Sequence, residues 1–257
     1  MKFVKYNAAG NDFIVTKELL NKEEIIKFCH RNFGIGADGV IFVEAFEEAE
    51  RLVNIRIFNS DGGEASMCAN GTRSVAHFIA DKYFHGITSL TMKTLSGIYR
   101  CDVKDGVVSL SMPREIIRQL TGASHLLAES EKEYFVNTGV PHAVYFVENV
   151  ELIDLAKKAP FIRFHPSFSK GINVNVASFD PHLKNMIHMR SYERGVEAET
   201  LSCGTGVIAT AFACQELYGF KDSIQIKTKG GILEVDIGEK YLTYGGKVFA
   251  IYDGETK

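Results

Sequence analysis

Apolar and polar residues alternate with the two-residue period of half-buried strands along much of this chain, and the period lengthens to that of a helix in four places. Residues 3–15 alternate as a strand does but are interrupted by Ala8-Ala9-Gly10-Asn11-Asp12. In that turn-prone insert Asn11, taken alone, reads as a residue bonding its own backbone. Residues 22–32 form the first helical pattern, with Ile25, Ile26 and Cys29 on its apolar side. The glycine-rich turn Phe33-Gly34-Ile35-Gly36-Ala37-Asp38-Gly39 then leads into a strand over 40–43. It precedes a strand and lacks a Lys-Ser/Thr ending, which makes it a poor phosphate loop. A strand over 53–58 delivers the chain to a second helix at 71–83, where Val75, Ala76, Phe78 and Ile79 give a broad apolar surface. Strands are predicted over 90–94, 98–103 and 107–112, with Cys101 as a core residue of the second.

Pro113-Arg114 marks a crossover into the second half. Two strand-like runs occupy 134–147 around Thr138-Gly139-Val140-Pro141-His142, followed by a helix over 150–159 and strands over 172–176 and 186–192. The fourth helix, 205–218, carries Cys214 on its core side, and strands over 223–228, 232–237 and 246–252 finish the pattern. A mostly apolar, small-residue helix within each half implies a sheet wrapped around it. Taken singly, His142 after a proline reads as a turn residue, and Glu193-Arg194 at a strand end reads as a solvated surface pair.

The two halves repeat one another. Asn59-Ser60-Asp61-Gly62-Gly63-Glu64-Ala65-Ser66-Met67-Cys68-Ala69-Asn70-Gly71 runs into the second helix, and Glu197-Ala198-Glu199-Thr200-Leu201-Ser202-Cys203-Gly204-Thr205-Gly206 runs into the fourth. Glu64 and Glu199, Cys68 and Cys203, Gly71 and Gly206, Ala76 and Ala211, and Tyr83 and Tyr218 all match at one constant offset. At that offset Gly36-Ala37-Asp38 also lies over Gly171-Ile172-Asn173. One residue out of step, Lys93-Thr94-Leu95-Ser96-Gly97-Ile98 lies over Lys227-Thr228-Lys229-Gly230-Gly231-Ile232. A repeat this long, one copy per half, implies two similar domains rather than a solenoid. Each copy places a cysteine in a Gly-containing turn at a helix start. If the halves face each other, the two thiols meet across a cleft.

Composition narrows the picture without changing it. The chain has 257 residues, 46% hydrophobic and 24% charged, enough for two ordinary domains of a soluble protein. A net charge of −3 gives no electrostatic reason to expect nucleic acid or an anionic membrane as partner. The N-terminus lacks the apolar core of a signal peptide, and no apolar run is long enough to span a bilayer. Five cysteines, an odd number without framework spacing, fit a reducing cytoplasm.

Paired thiols at helix starts suit proton transfer at an α-carbon. That carbon is a very weak acid, so a site must stabilise the negative charge that develops on the adjoining carboxylate. Helix N-termini do so with backbone N–H groups and dipoles, and the same position is expected to lower a cysteine's pKa. One sulfur then acts as thiolate base while the other, still protonated, acts as acid. The scheme requires neither metal nor pyridoxal phosphate. A redox pair is a weaker reading, because there is no Cys-x-x-Cys, and structural zinc is weaker still, because neither turn offers ligands at finger spacing.

The ordered set Gly10-Asn11-Asp12-Phe13, Gly34-Ile35-Gly36-Ala37-Asp38-Gly39, Asn59-Ser60-Asp61-Gly62, Met67-Cys68-Ala69-Asn70-Gly71, Gly139-Val140-Pro141-His142, Asn173, Glu193-Arg194-Gly195 and Cys203-Gly204-Thr205-Gly206 resembles the diaminopimelate epimerase family over nearly the whole chain. The resemblance implies cofactor-independent interconversion of LL- and meso-diaminopimelate, on the route to lysine and peptidoglycan, with Cys68 and Cys203 as the catalytic thiols. It implies that backbone at Ala69-Asn70 and Gly204-Thr205 grips the reacting carboxylate, and that Asn11, Asn59, Asn173 and Arg194 hold the substrate. Glu193 would meet the far ammonium, and His142 would tune the site. It reverses the single-residue readings of Asn11, His142 and Glu193-Arg194. The implied fold is α/β, in two pseudosymmetric domains, each a curved mixed sheet wrapped around a central helix. Residues 1–112 with 246–257 form the half carrying Cys68, and 113–245 the half carrying Cys203. A cytoplasmic homodimer with Tyr252 at the subunit contact is also implied.

This chain departs from the family pattern at Ala69, where Gly is usual, at Val140, where many members have Asn, and at Gly39, where some have Gln. The loop between Arg194 and Cys203 is a further departure, one residue longer than in some members. These leave the mechanism alone and bear on substrate. A single-headed amino-acid racemase acting on histidine or lysine is the alternative they motivate, and a thiol redox protein is the alternative from a different class.

Overall fold

Every strand pattern forms a strand in the computed structural model, which describes residues 1–85 and 88–256. Lys257, the last residue of the 246–257 segment assigned above, lies outside them. The chain divides into two units, Met1–Met112 with Gly245–Lys257, and Pro113–Tyr244.

The first unit begins with an antiparallel hairpin of Lys2–Ala8 and Asn11–Thr16, closed between Ala8 and Asn11. Ala9 and Gly10 form the turn at φ 55° and 83°, the left-handed pair whose twist suits a two-residue hairpin. Asn11 therefore opens a strand instead of serving the turn. Gly39–Glu47 runs parallel to the second strand, and Leu52–Asn59 antiparallel to Gly39–Glu47. Thr88–Thr94 is parallel to Leu52–Asn59, and Gly97–Lys104 and Val107–Pro113 follow antiparallel. The end of the last strand, Tyr241–Glu255, lies antiparallel on Lys2–Ala8, pairing Ala8 with Val248 and Lys2 with Glu255.

Two helices belong to this unit. α1 (Lys22–Cys29) starts at a capping box, Asn21 accepting from the Glu24 amide while the Glu24 carboxylate accepts from Asn21. Ile25 and Cys29 are buried, but Ile26, expected on the apolar side, is exposed. This helix of about two turns buries only a narrow stripe, Ile25 and Cys29 at i and i+4, and Ile26 lies beyond its edge. α2 (Ala69–Ile79) continues as one π turn, Ala80–Phe84. It packs against strands 2–8, 11–16, 39–47, 88–94 and 97–104, and Val75, Ala76 and Ile79 are fully buried. The sheet curls around it.

The second unit repeats this scheme step for step. Lys132–Thr138 and Pro141–Phe146 make the hairpin, Asn173–Phe179 is parallel to Pro141–Phe146, and Met186–Glu193 is antiparallel to Asn173–Phe179. The short strand Ala198–Thr200 lies on Met186–Glu193 as Glu64–Ala65 lies on Leu52–Asn59. Ile224–Thr228 is parallel to Met186–Glu193 and Gly231–Ile237 completes the sheet. The predicted helix over 150–159 is instead a 3₁₀ turn, Val150–Leu152, followed by α3 (Leu155–Arg163). Asp154 restarts the backbone there, its carboxylate capping the Lys157 amide. α4 (Gly204–Tyr218) is the inner helix, packed on strands 132–138, 141–146, 173–179, 224–228 and 231–237. It is apolar nearly all round, as a helix enclosed by a sheet must be. Val174 and Val176 join the core that includes Ile153, Leu155 and Ile162 on the α3 side. Strand alternation then turns Asn173 and Asn175 to the α4 side. Among the described residues no helix is long and apolar enough to cross a membrane.

Candidate active site

Both candidate thiols are helix N-caps. Cys68 caps α2 in extended conformation, and its sulfur accepts from the Gly71 amide at 3.4 Å. Cys203 caps α4, also extended. A glycine follows three residues later in each case, because a Cβ there has no room. At Gly71 it would stand 2.7 Å from Ile41 Cδ1, and at Gly206 2.4 Å from Asn175 Oδ1 and 3.3 Å from Cys203 Cβ. The other three cysteines are core, as expected: Cys29, Cys101 and Cys214 are buried, and burial pushes Cys29 up to about 11 and Cys214 up to about 12.

In the first unit Asn11 is fixed by its neighbours. Its Nδ2 donates to Asp38 Oδ2 at 2.6 Å, leaving Oδ1 to face Cys68 Sγ at 3.8 Å. Asp38 in turn takes Arg31 at 2.7 Å, and Arg31 forks onto Asp12, which also holds the Lys5 ammonium at 2.8 Å. Asn59 is exposed and pairs in register with Gly39, next to Asp38. Asn70 caps inward, accepting from the buried Arg73 at 2.9 Å. Tyr252 stands elsewhere in this unit, half-exposed and edge-on to Phe3, lining a cleft of about 380 Å³ with Asp12, Arg31 and Ile35.

The second unit gathers its candidates more tightly. Asn173 donates to Pro141 O at 3.0 Å and accepts from the Arg194 amide at 2.8 Å, tying the His142 strand to the Glu193-Arg194 corner. Arg194 Nη1 donates to Lys170 O at 3.1 Å. Glu193 accepts from the Thr200 hydroxyl and hydrogen-bonds Cys203, so its carboxylate lies against the sulfur and is not a solvated partner of Arg194. Burial raises its pKa, with Thr200 and Cys203 pulling the other way. His142 is fully buried, with Nε2 2.9 Å from Thr205 Oγ1, which lies 3.5 Å from Cys203 Sγ. Burial, helped by the nearby Arg194 charge, lowers His142 to about 3, so the ring is neutral.

The helix start was expected to lower the pKa of its cysteine, and at Cys203 the balance runs the other way. Burial and the Glu193 charge push the thiol up, and the Thr205 hydroxyl and Gly206 amide only partly offset them. Cys203 is only 5% exposed, and a thiolate loses more by leaving water than one helix end returns. The Cys203 thiol is therefore held in its protonated form by its surroundings.

A sequence model described as diaminopimelate epimerase matches residues 3–112 and 134–248. This chain belongs to the diaminopimelate epimerase family. A diaminopimelate epimerase from Methanocella arvoryzae is 38% identical, the match covering 99% of this chain and 96% of that protein. One from Archaeoglobus fulgidus is 37% identical over 98% and 95%. A phenazine biosynthesis protein of the PhzF family from Enterococcus faecalis has the same fold at 15% identity, with TM-score 0.75 and both chains covered in full.

Within the diaminopimelate epimerase family framework, several groups touching the candidates were not singled out by sequence. Asp38 and Arg31 orient Asn11, and the Thr205 side chain, not only its backbone, meets Cys203. Asn175 and Ser191 pack behind His142. Asn173-Val174-Asn175 did carry a signal, two amides at strand spacing within an apolar run, since buried polar groups need partners. Which partners they find depends on strand register.

Proposed function

We propose that this chain interconverts LL- and meso-diaminopimelate by two-base proton transfer at the α-carbon, with Cys68 and Cys203 each supplying one sulfur. The observation that carries the mechanism is that the two cysteines cap the inner helices of two units built on one plan. A carboxylate seated at those helix starts, on the backbone of Ala69-Asn70 and Gly204-Thr205, meets N–H groups and positive dipole ends as the carbanion's charge develops. One sulfur removes the proton and the other returns one to the opposite face, so the configuration inverts. Reversal exchanges their roles. Asn11, Asn59, Asn173 and Arg194 orient the substrate and Glu193 and His142 surround the second sulfur, and the scheme needs no bound cofactor.

Proton exchange in heavy water tests this. LL-diaminopimelate is expected to take up deuterium at one α-carbon and to emerge as the meso isomer, while L-lysine and L-histidine exchange at least ~100-fold more slowly, the scale of losing polar recognition of one head group. Exchange of the monocarboxylic amino acids alone would replace this reading with the single-headed racemase. A redox protein would exchange none of them.

The enzyme is further proposed to be a cytoplasmic homodimer. Five cysteines, an odd number without framework spacing, suit a reducing compartment. Phe249, Ile251 and Tyr252 leave apolar side chains exposed close together along the last strand. Sedimentation of Tyr252→Ala is expected to show a weakened dimer, and a native protein that sediments as a monomer would remove the proposal.

A further inference from the structure

We infer that Asn175 is a positioning residue of this site: its amide fixes which nitrogen of His142 carries the proton and thereby aims the Thr205 hydroxyl at Cys203 Sγ. The orientation of that amide follows from partners that allow one choice. Asn175 Nδ2 lies 3.1 Å from Ala143 O, a carbonyl that can only accept, and Oδ1 lies 2.9 Å from Ser191 Oγ. Turning the amide over would set two acceptors against each other in a fully buried place. Asn175 and Ser191 face each other directly across paired strands, so backbone register holds the arrangement.

The second hydrogen on Nδ2 points to His142 Nδ1, 3.1 Å away. Nδ1 is therefore the bare nitrogen of the neutral ring, and Nε2 carries the hydrogen. Nε2–H then donates to Thr205 Oγ1 at 2.9 Å. Having accepted there, the hydroxyl directs its own hydrogen elsewhere, and Cys203 Sγ at 3.5 Å is the partner it meets. A donor aimed at sulfur favours the thiolate. The charged groups facing this cluster are Glu193, against the sulfur, and Arg194, near the ring. Glu193 accepts from the thiol and Thr205 donates to the thiolate, so each protonation state of the sulfur has a partner. A group that alternately gives and takes a proton needs both.

The inference rests on reading Cys203 as a reacting thiol, but its test does not use turnover. In protein with ¹⁵N-labelled histidine, His142, assigned by its loss in His142→Gln, is expected to show Nε2 protonated and Nδ1 bare at neutral pH. A native ring protonated at Nδ1, or charged, overturns the inference with no variant needed. In a Cys68→Ser background, the pH profile of Cys203 alkylation by iodoacetamide reads the thiolate. Thr205→Val, similar in shape but lacking the hydroxyl, is expected to keep the tautomer and to slow alkylation about tenfold at a fixed pH, the scale of one hydrogen bond to a charged group. Asn175→Ala is expected to slow it similarly and to add an Nδ1-protonated population. Unchanged alkylation in Thr205→Val, or an unchanged tautomer in a folded Asn175→Ala, overturns the inference. Absence of α-proton exchange in an enzyme with the expected tautomer and alkylation profile would sink the proposed function alone.

Discussion

Cys68→Ser and Cys203→Ser are each expected to lower kcat/KM for epimerisation by roughly 10³-fold, within the span general acid–base groups contribute. Serine keeps the size and hydrogen bonding of cysteine but loses its acidity. At position 203 burial and Glu193 already hold the thiol above its ordinary range, so a hydroxyl there has no access to its anion near neutral pH. Each protonation step needs a base on one face and an acid on the other. The double variant should therefore be little worse than either single one, as for groups that act as a unit. Product configuration by chiral chromatography measures the effect. Near-normal inversion in either single variant would refute the paired-thiol mechanism.

Asp12→Asn is expected to destabilise the protein by about 3 kcal/mol, because it removes the carboxylate partner of a buried ammonium. Lys5 is 6% exposed and keeps only the Gly36 carbonyl once the 2.8 Å ion pair with Asp12 is gone. Arg31 is mostly exposed, so its share of the loss is small. The same carboxylate sets an acid limit. Burial raises the Asp12 pKa, but the hydrogen bonds from Arg31 and Lys5 and their charges prevail and bring it from 3.8 to about 2. Folding thus favours the ionised form. Its contribution is complete above about pH 4 and is lost as pH falls towards 2. Urea unfolding between pH 2 and 5 should show native stability dropping with acid more steeply than that of Asp12→Asn. Parallel curves for the two proteins would contradict this account.

The sequence was most legible where the chemistry is local. The Cys-to-Gly spacing at 68–71 and 203–206 places each thiol at a helix start, and both are N-caps. Strand periods were equally clear where one face of a strand is buried and the other is wet, as in Gly97–Lys104 and Val107–Pro113. Local pattern failed where a single residue overrides it. Asp154 restarts a helix that apolar spacing ran together, and Ala9 adopts a left-handed conformation that no residue preference announces. It failed again where a side chain's role depends on register. Glu193 followed by Arg194 has the look of a surface ion pair, yet the strand ends so that its carboxylate meets Cys203. Asn11 looked like a turn residue until pairing with Ala8 made it the start of a strand, held by Asp38 from a distant segment.

The strand that closes the first sheet has a consequence for biosynthesis. Residues 2–8 are translated before the second unit and their partners at 248–255 after it, so one edge of Lys2–Ala8 stays open while the whole second unit is made. Open edges recruit other chains, which makes this interval the vulnerable one for aggregation. Thr256 N donates to Met1 O at 2.9 Å, so a circular permutant that places residues 245–256 ahead of Met1 would let each unit finish in the order it is translated.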